Sequence, residues 1–427
     1  MRVYKPSGIE WLGGGGGKIP AHWEVKRLRH IFKEVSIKKC GNEQQLCATQ
    51  SYGVIPKKLY SYKTVEVISS DLNSFKLVKK DNFVISLRSF EGGIEHSNYQ
   101  GIISPAYTIL EPQVEIYSFY FKFLFKSSFF ISTLNIHKIG IREGQNISYA
   151  SLQYTPIPLP PLQEQKEIAE FLDKKCEKIQ NYINKKQKLI TLLQEKKQAL
   201  INEVVTKGLN PNIESKNSGI AYLGLIPHHW EVKKLKYLAT LRNQKSNDSD
   251  FKVGLENIES QTGKYISTNE VVFEDSGIYF YKNDILFGKL RPYLAKVFLA
   301  DREGVCVSEF LVLTPKKQCG NFLKFLMLSP LFISVVDGST YGSKMPRASW
   351  EFIGNLKIPL PPLHEQKEIA EFLDSKVAQI DSVIEKTKKQ IELIKEYKNT
   401  LINEAVCGRV ACSRDFSPTA QNDKKKN

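Results

Sequence analysis

A seventeen-residue phrase is written twice in this chain. It reads IPLPPLQEQKEIAEFLD at 157–173 and IPLPPLHEQKEIAEFLD at 358–374, 201 positions later, with Gln163 against His364 as the single change. Self-similarity at a fixed period constrains a fold more than local propensity does, because each copy must build the same unit. The likeness extends on both sides. SGIEWLGGGGGKIPAHWEVKRL at 7–28 matches SGIAYLGLIPHHWEVKKL at 218–235, and YFKFLFKSSFFI at 120–131 resembles FLKFLMLSPLFI at 322–333. Nearly the whole chain of 427 residues reads as two copies of one unit.

Each copy has two parts. The first, about 150 residues, mixes short runs such as YKTVEVI, NFVISL and GIISPAYTIL with Gly and Asn breaks, which predicts strands and turns with one or two helices among them. The aromatic stretch YSFYFKFLFKSSFF at 117–130 predicts one of those helices, buried. The second part begins after a proline stop at Pro156, Pro158, Pro160 and Pro161, where the ring pins an extended entry. Beyond it Ile168, Leu172, Ile179, Ile183, Ile190, Leu193, Leu200 and Val204 recur at helical spacing. Ile369, Leu373, Ile380, Ile384, Ile391, Ile394, Leu401 and Ala405 repeat the pattern, and Gly208 and Gly408 end the two segments.

Roughly 45 residues at 1.5 Å each predict a rod of about 65 Å with one apolar stripe. Such a stripe needs a partner. The other copy is the nearest one, packed as a coiled coil; the competing arrangement lays each helix on its own globular domain. The expected fold is α+β: two mixed α/β domains joined by two long helices in an antiparallel coiled coil, with an internal pseudo-two-fold repeat. The expected boundaries are a first domain over 1–156, a helix over 157–208, a second domain over 209–357, a helix over 358–408 and a polar, disordered tail over 409–427.

Charge narrows the partner. Lys and Arg number 61 against 45 Asp and Glu, a formal charge of +16, which favours an anionic partner such as nucleic acid, although lysine-rich solubility alone produces the same balance. Seven scattered cysteines without a CxxC pair argue against a disulfide scaffold or zinc ribbon and fit a reducing cytoplasm. No apolar stretch has the length of a membrane span, and the start lacks the core of a signal peptide.

The chain carries no recognisable catalytic constellation. NPN at 210–212 and RPY at 291–293 do not supply the Asn-Pro-Pro-aromatic word of an adenine methyltransferase, and Gly13 to Gly17 followed by Lys18 and Ile19 lacks the spacing and hydroxyl of a P-loop. Asp71, Asp81, Asp275 and Asp284 form no tight nuclease-like pair with an adjoining lysine. His22, His228 and His229 lack metal-ligand spacing and read as surface residues, whereas Trp23 and Trp230, at matching positions, read as anchors of each domain on the helices. The glycine run adds four residues to the first copy. It reads as a flexible loop, or as the product of a guanine homopolymer whose slippage would switch expression.

The pattern SGIxWLGxIPxHWExKxL, a variable region, and PLPPLxEQxxIAxFLD opening a long helix, all given twice, resembles the DNA-specificity subunit of type I restriction-modification enzymes. The resemblance spans nearly the whole chain. It implies that each variable region is a target recognition domain for one half of a bipartite, asymmetric site in double-stranded DNA, and that the paired helices set the spacer and dock two methyltransferase (modification) subunits. It implies no catalysis and no cofactor on this chain: S-adenosylmethionine, ATP and Mg2+ would be bound by partner subunits, which include two restriction or translocase subunits where the system has them. Two other readings stay open, a stand-alone DNA-binding regulator and a coiled-coil scaffold without a nucleic-acid role.

Base edges specify and phosphates position, so candidate readers are forked or amide side chains near glycines. In ISLRSFEGGIEHSNYQG, Arg88 offers a bidentate fork to guanine, Ser89 and Asn98 can pair with base edges, and Gly92 and Gly93 allow close backbone approach. Arg142 and Gln145 form a second patch. In the second copy the candidates are Lys289, Arg291 and Tyr293, then Lys344 and Arg347.

Overall fold

A computed structural model describes residues 3–12, 17–60, 72–139, 146–246, 249–268, 276–340, 342 and 344–410. The expected strand YKTVEVI, the core of the glycine run and the tail beyond residue 410 lie outside the described residues. The chain divides into two compact units, residues 1–185 with 390–427, and residues 186–389.

In the first unit, strands β1 (Phe32–Val35), β2 (Phe83–Ile85), β3 (Glu95–His96) and β4 (Thr108–Pro112) form an antiparallel sheet in the order β1-β4-β2-β3. The expected runs NFVISL and GIISPAYTIL supply β2 and the start of β4, and Phe32, Phe83, Ile85 and Leu110 are buried in one core. The aromatic stretch is two helices, not one: Ser118–Leu124 and Ser128–Ile136. Ser127 breaks it by accepting the N–H of Phe130 on its hydroxyl, an N-cap that outcompetes continuation of the helix. Phe121, Phe125 and Phe130 nevertheless pack into the same core as Phe32 and Phe83.

The second unit repeats the design. Strands β5 (Ala239–Arg242), β6 (Ile285–Gly288), β7 (Val297–Leu299) and β8 (Phe310–Pro315) follow the order β5-β8-β6-β7. A second four-stranded sheet lies beside them, built from Lys245–Ser246, Lys252–Val253, Gly277–Phe280 and Gly304–Cys306. Ser329 caps Pro330–Asp337 as Ser127 caps its counterpart. Among the described residues no single helix is long and apolar enough to cross a membrane.

Two long helices complete both units, α1 (Leu162–Lys207) and α2 (Leu363–Val406). The first unit takes the start of α1 and the end of α2, so Ile168 and Leu172 share a core with Ile402, Ala405 and Val406. In the second unit the end of α1, with Ile201, Val204 and Val205, meets the start of α2 at Ile369, Ala370 and Leu373. Within each unit the helices therefore run antiparallel, and the competing one-helix-per-domain arrangement is set aside. Gly208 and Gly408 adopt φ +77° and +71°, left-handed caps that only glycine adopts without strain. A Cβ on Gly408 would come within 2.8 Å of the Trp23 ring, so the helix end also needs glycine for contact.

The doubled phrase is explained by what its residues hold. The Pro-rich entry is an edge strand: Pro156–Leu159 pairs with Glu24–Arg27, and Lys357–Leu360 with Glu231–Lys234. One turn into α1, Glu164 accepts the indole N–H of Trp23 at 3.1 Å and touches His22, while Gln165 takes the N–H of Tyr117 at 2.8 Å and donates to Pro160 at 2.9 Å. In the other copy Glu365 accepts from Trp230 at 3.0 Å and meets His229 at 2.8 Å, and Gln366 accepts from Cys319 and donates to Pro361. Both tryptophans are fully buried. The doubled Glu-Gln is thus a clamp between each mixed domain and its helix, and His22 and His229 are exposed partners of that clamp.

Candidate nucleic-acid interface

In both units the candidate arginine sits in the same place, the loop joining two hydrogen-bonded antiparallel strands. Arg88 lies between β2 and β3, and Arg291 between β6 and β7. An edge hairpin leaves its connecting loop outside the core, which is why these loops project side chains instead of burying them.

In the first unit the loop turns through a short helix, Ser89–Gly92. Arg88 is exposed, and its guanidinium has no hydrogen-bond or ion-pair partner among the described residues. Asn98 is exposed as well. Two neighbours serve the fold. Ser89 is buried, and its hydroxyl accepts the N–H of Ser86 at 2.8 Å, so it holds the turn. Gly93, at φ +82°, packs so closely that a Cβ would stand 2.2 Å from the carbonyl of Phe125. Its glycine is required by that helix. Gly92 is different, since the atoms nearest to a Cβ there belong to the flexible side chain of Gln50. Arg142 and Gln145 lie outside the described residues.

Beneath this loop lies a buried polar group that the sequence pattern does not announce. Lys126 donates to the carbonyls of Gly92 at 2.8 Å and Gln50 at 3.2 Å and pairs with Glu95, tying the turn to β3 and to the neighbouring hairpin. Burial pushes the Glu95 carboxyl up to about 7 against the pull of Lys126, and burial lowers Lys126 against the pull of Glu95. Next to it, burial lowers the His96 imidazole although Asp81 accepts from it at 3.1 Å. Asp81 also takes the hydroxyl of Ser118 at 2.6 Å. Asp284 in the second unit takes Arg242 at 3.0 Å and Thr314 at 2.7 Å, so both aspartates brace the fold. Asp71 and Asp275 lie outside the described residues.

In the second unit Arg291 is exposed and has backbone angles of φ 51° and ψ 63°. The left-handed region costs a non-glycine residue about 1–2 kcal/mol, and Ala295, at φ 47°, adds a second instance across the turn Pro292–Leu294. Tyr293 projects from that turn, 47% exposed. Lys289 is half-buried, with its backbone N–H on the carbonyl of Glu309 at 2.9 Å. Lys344 is exposed on the facing segment. Arg347 is committed elsewhere: Glu309 takes its guanidinium with two bonds, at 3.0 and 3.2 Å. Nothing in the spacing of Glu309 and Arg347 signals that pairing, which depends on the register of the segment after Lys344.

Among the described residues no group of three or more His, Cys, Asp or Glu side chains could hold a metal ion. What the two loops offer is cationic forks, an amide and a phenol on rigid sheets, a set suited to base edges and phosphate oxygens.

Known proteins share this organisation. A family model described as the type I restriction modification DNA specificity domain matches residues 20–194 and again 227–393. A putative type I restriction enzyme MjaX specificity subunit of Methanocaldococcus jannaschii is 25% identical over 434 residues, covering 92% of this chain and 95% of that protein. The MjaVIII specificity subunit of the same organism is 26% identical over 96% of this chain and 97% of its own length, and the Escherichia coli EcoDI specificity subunit 22% identical over 92% and 90%. A chain solved in work on complex assembly and conformational transition of the type I R-M system shares the fold with a TM-score of 0.69 at 14% identity, over 92% of this chain and 100% of that one. The HsdS subunit from Thermoanaerobacter tengcongensis does so with a TM-score of 0.55 at 16% identity, over 93% and 99%.

Proposed function

From the premise that this chain belongs to the type I restriction-modification DNA specificity family, we propose that each unit reads one half of a bipartite, asymmetric site in double-stranded DNA on behalf of a methyltransferase. The chain is a specificity subunit with two recognition domains. One observation carries the finer reading: the family matches fall once on each copy, and each copy raises an arginine-bearing loop from the same position of the same four-stranded sheet. Two unlike loops on two like frames are what a divided site with unlike halves requires.

Residues 1–156 and 209–357 are the recognition domains in this reading, and 157–208 and 358–408 the spacer. Arg88, Gly92, Asn98, Arg142 and Gln145 contact the first half-site in this reading. Lys289, Arg291, Tyr293 and Lys344 contact the second. Exposed lysines bind phosphate and fix register, and the arginine forks read bases. The doubled Glu-Gln clamp gives the helices two matching surfaces, each docking one modification subunit. Catalysis, S-adenosylmethionine, ATP and Mg2+ then belong to the modification subunits and to any restriction subunits, in the cytoplasm. A coiled-coil scaffold without a nucleic-acid role would not need two exposed arginine loops at matching places, and a stand-alone regulator would bind its site tightly without partners.

The test is co-expression with its methyltransferase in a host lacking adenine methylation, followed by single-molecule mapping of N6-methyladenine. A bipartite motif with a fixed gap is expected. A stable complex that methylates no defined motif would overturn the reading.

A further inference from the structure

The β6–β7 loop is held in a way that its first-copy counterpart is not. Arg88 has φ −115° and ψ 18°, whereas Arg291 has φ 51° and ψ 63° and is followed at once by Pro292. A side chain persists in the left-handed region only where its surroundings over-determine it, and such residues gather at sites where the geometry is used. Here the surroundings are explicit. Arg291 donates its backbone N–H to Pro346 at 2.8 Å, Ala348 donates to Lys289 at 2.9 Å, and Leu290 bridges Arg347. The two segments therefore form one ladder. Glu309 supports it twice, with its carbonyl on the Lys289 N–H at 2.9 Å and its carboxylate on the fork of Arg347.

That ladder treats its two arginines differently. The Arg347 guanidinium is spent on Glu309, while the Arg291 guanidinium is exposed and has no partner among the described residues. Resting on the DNA-reading role given above, we propose that Arg291 is the side chain with which the second unit reads a guanine in the major groove, and that Glu309 and Arg347 are positioning residues that hold it and touch no base. Guanine is the partner because its O6 and N7 present two acceptors at the spacing of the guanidinium fork. A locked backbone spends little of that contact on ordering the loop, so discrimination concentrates on one base pair. The half-site of the second unit therefore contains a G·C pair whose identity depends on residue 291.

Glycine separates reading from folding, because Arg291→Gly removes the fork and suits the left-handed backbone better than arginine does. Adenine methylation is mapped genome-wide for the co-expressed complex carrying wild-type, Arg291→Gly or Glu309→Ala chains, and the melting temperature of each purified complex is measured. Arg291→Gly is expected to melt at or above the wild-type temperature while losing its preference at one G·C pair of one half-site, roughly ten- to a hundredfold. Glu309→Ala is expected to relax the same base pair and no other, which a merely structural role would not do. An unchanged motif in Arg291→Gly overturns the proposal, as does a half-site without guanine, or relaxation at a different base pair in Glu309→Ala. A wild-type complex with no bipartite motif would instead remove the reading on which the proposal rests.

Discussion

Lys197 of α1 and Asp381 of α2 form an ion pair at 2.8 Å inside the second unit, both side chains almost wholly removed from solvent. Lys264 reaches the other carboxylate oxygen at 2.6 Å from the mixed domain. The matching positions, which fall in the first unit, hold Lys398 and Gln180, so the repeat does not duplicate the pair. A polar contact in a helical seam acts on register more dependably than on stability, since desolvation offsets most of its attraction.

Lys197→Ala therefore destabilises the second unit by about 3 kcal/mol, the low end for stranding one member of a buried pair because Lys264 remains. Lys197→Met with Asp381→Leu is expected to regain most of that loss. Burial alone would raise the Asp381 carboxyl, but its bonds to Lys197 and Lys264 outweigh burial and hold it low. Its folded value lies below its unfolded one, so this stabilisation is present above about pH 4 and is lost as pH falls through the folded value. Urea midpoints at pH 7 and pH 3 check both statements. A double variant as unstable as the single one would refute the register argument.

Trp23 and Trp230 should report on the units separately. Each indole is fully buried and donates to the glutamate that opens a long helix. Replacement by alanine costs about 3–5 kcal/mol, and Glu164→Ala about 1.5–3 kcal/mol by leaving the Trp23 N–H without its charged acceptor. Trp23→Ala is expected to expose the first unit to limited proteolysis while the second stays protected, and Trp230→Ala the reverse. Equal cleavage of both units by either variant would show that they unfold as one.

Much of this architecture is legible in the sequence, for reasons that particular residues make plain. Ile168 to Val204 and Ile369 to Ala405 mark the helices because burial at a period near 3.6 leaves no other pattern. The proline entry marks their start, since the four prolines of the first copy and the three of the second cannot continue a helix. Lys197 and Asp381 escape notice because a lysine and an aspartate on an apolar stripe look like ordinary surface residues until their helices are brought together. Ser89 and Gly93 show the reverse case. Their residue types suit a nucleic-acid loop, yet Ser89 is consumed by the Ser86 amide and Gly93 by the Phe125 carbonyl. Side-chain type is local, whereas availability depends on long-range contact.

That distinction is testable at adjacent glycines. Gly93→Ala must bring a Cβ to the Phe125 carbonyl and also accept φ +82°, which alone costs about 1–2 kcal/mol. In Gly92→Ala the nearest contacts are with the side chain of Gln50, which can move. Hydrogen exchange across Ser118–Ile136 should therefore rise in Gly93→Ala and stay unchanged in Gly92→Ala. Equal exchange in the two variants would remove the packing role assigned to Gly93.

Glu95 makes the stability of the first unit depend on pH in a direction unusual for a carboxylate. Burial raises it to about 7 in the folded unit, from 4.5 in the open chain, and Lys126 only partly offsets that rise. Because the folded value is the higher one, its contribution is complete below about pH 4.5 and is lost as pH rises through about 7. His96, lowered by burial, works in the opposite sense, contributing above its unfolded value of about 6.5 and losing that contribution as pH falls. The diagnostic quantity is therefore the difference between wild type and Glu95→Gln, in which His96 cancels. From pH 5 to pH 7.5 the wild-type urea midpoint should fall relative to that of Glu95→Gln. Since Lys126 also holds the carbonyls of Gly92 and Gln50, the same pH rise charges Glu95 and tightens its pairing with the lysine beneath the Arg88 loop. A constant difference between the two midpoints would mean that Glu95 is already ionised at pH 5.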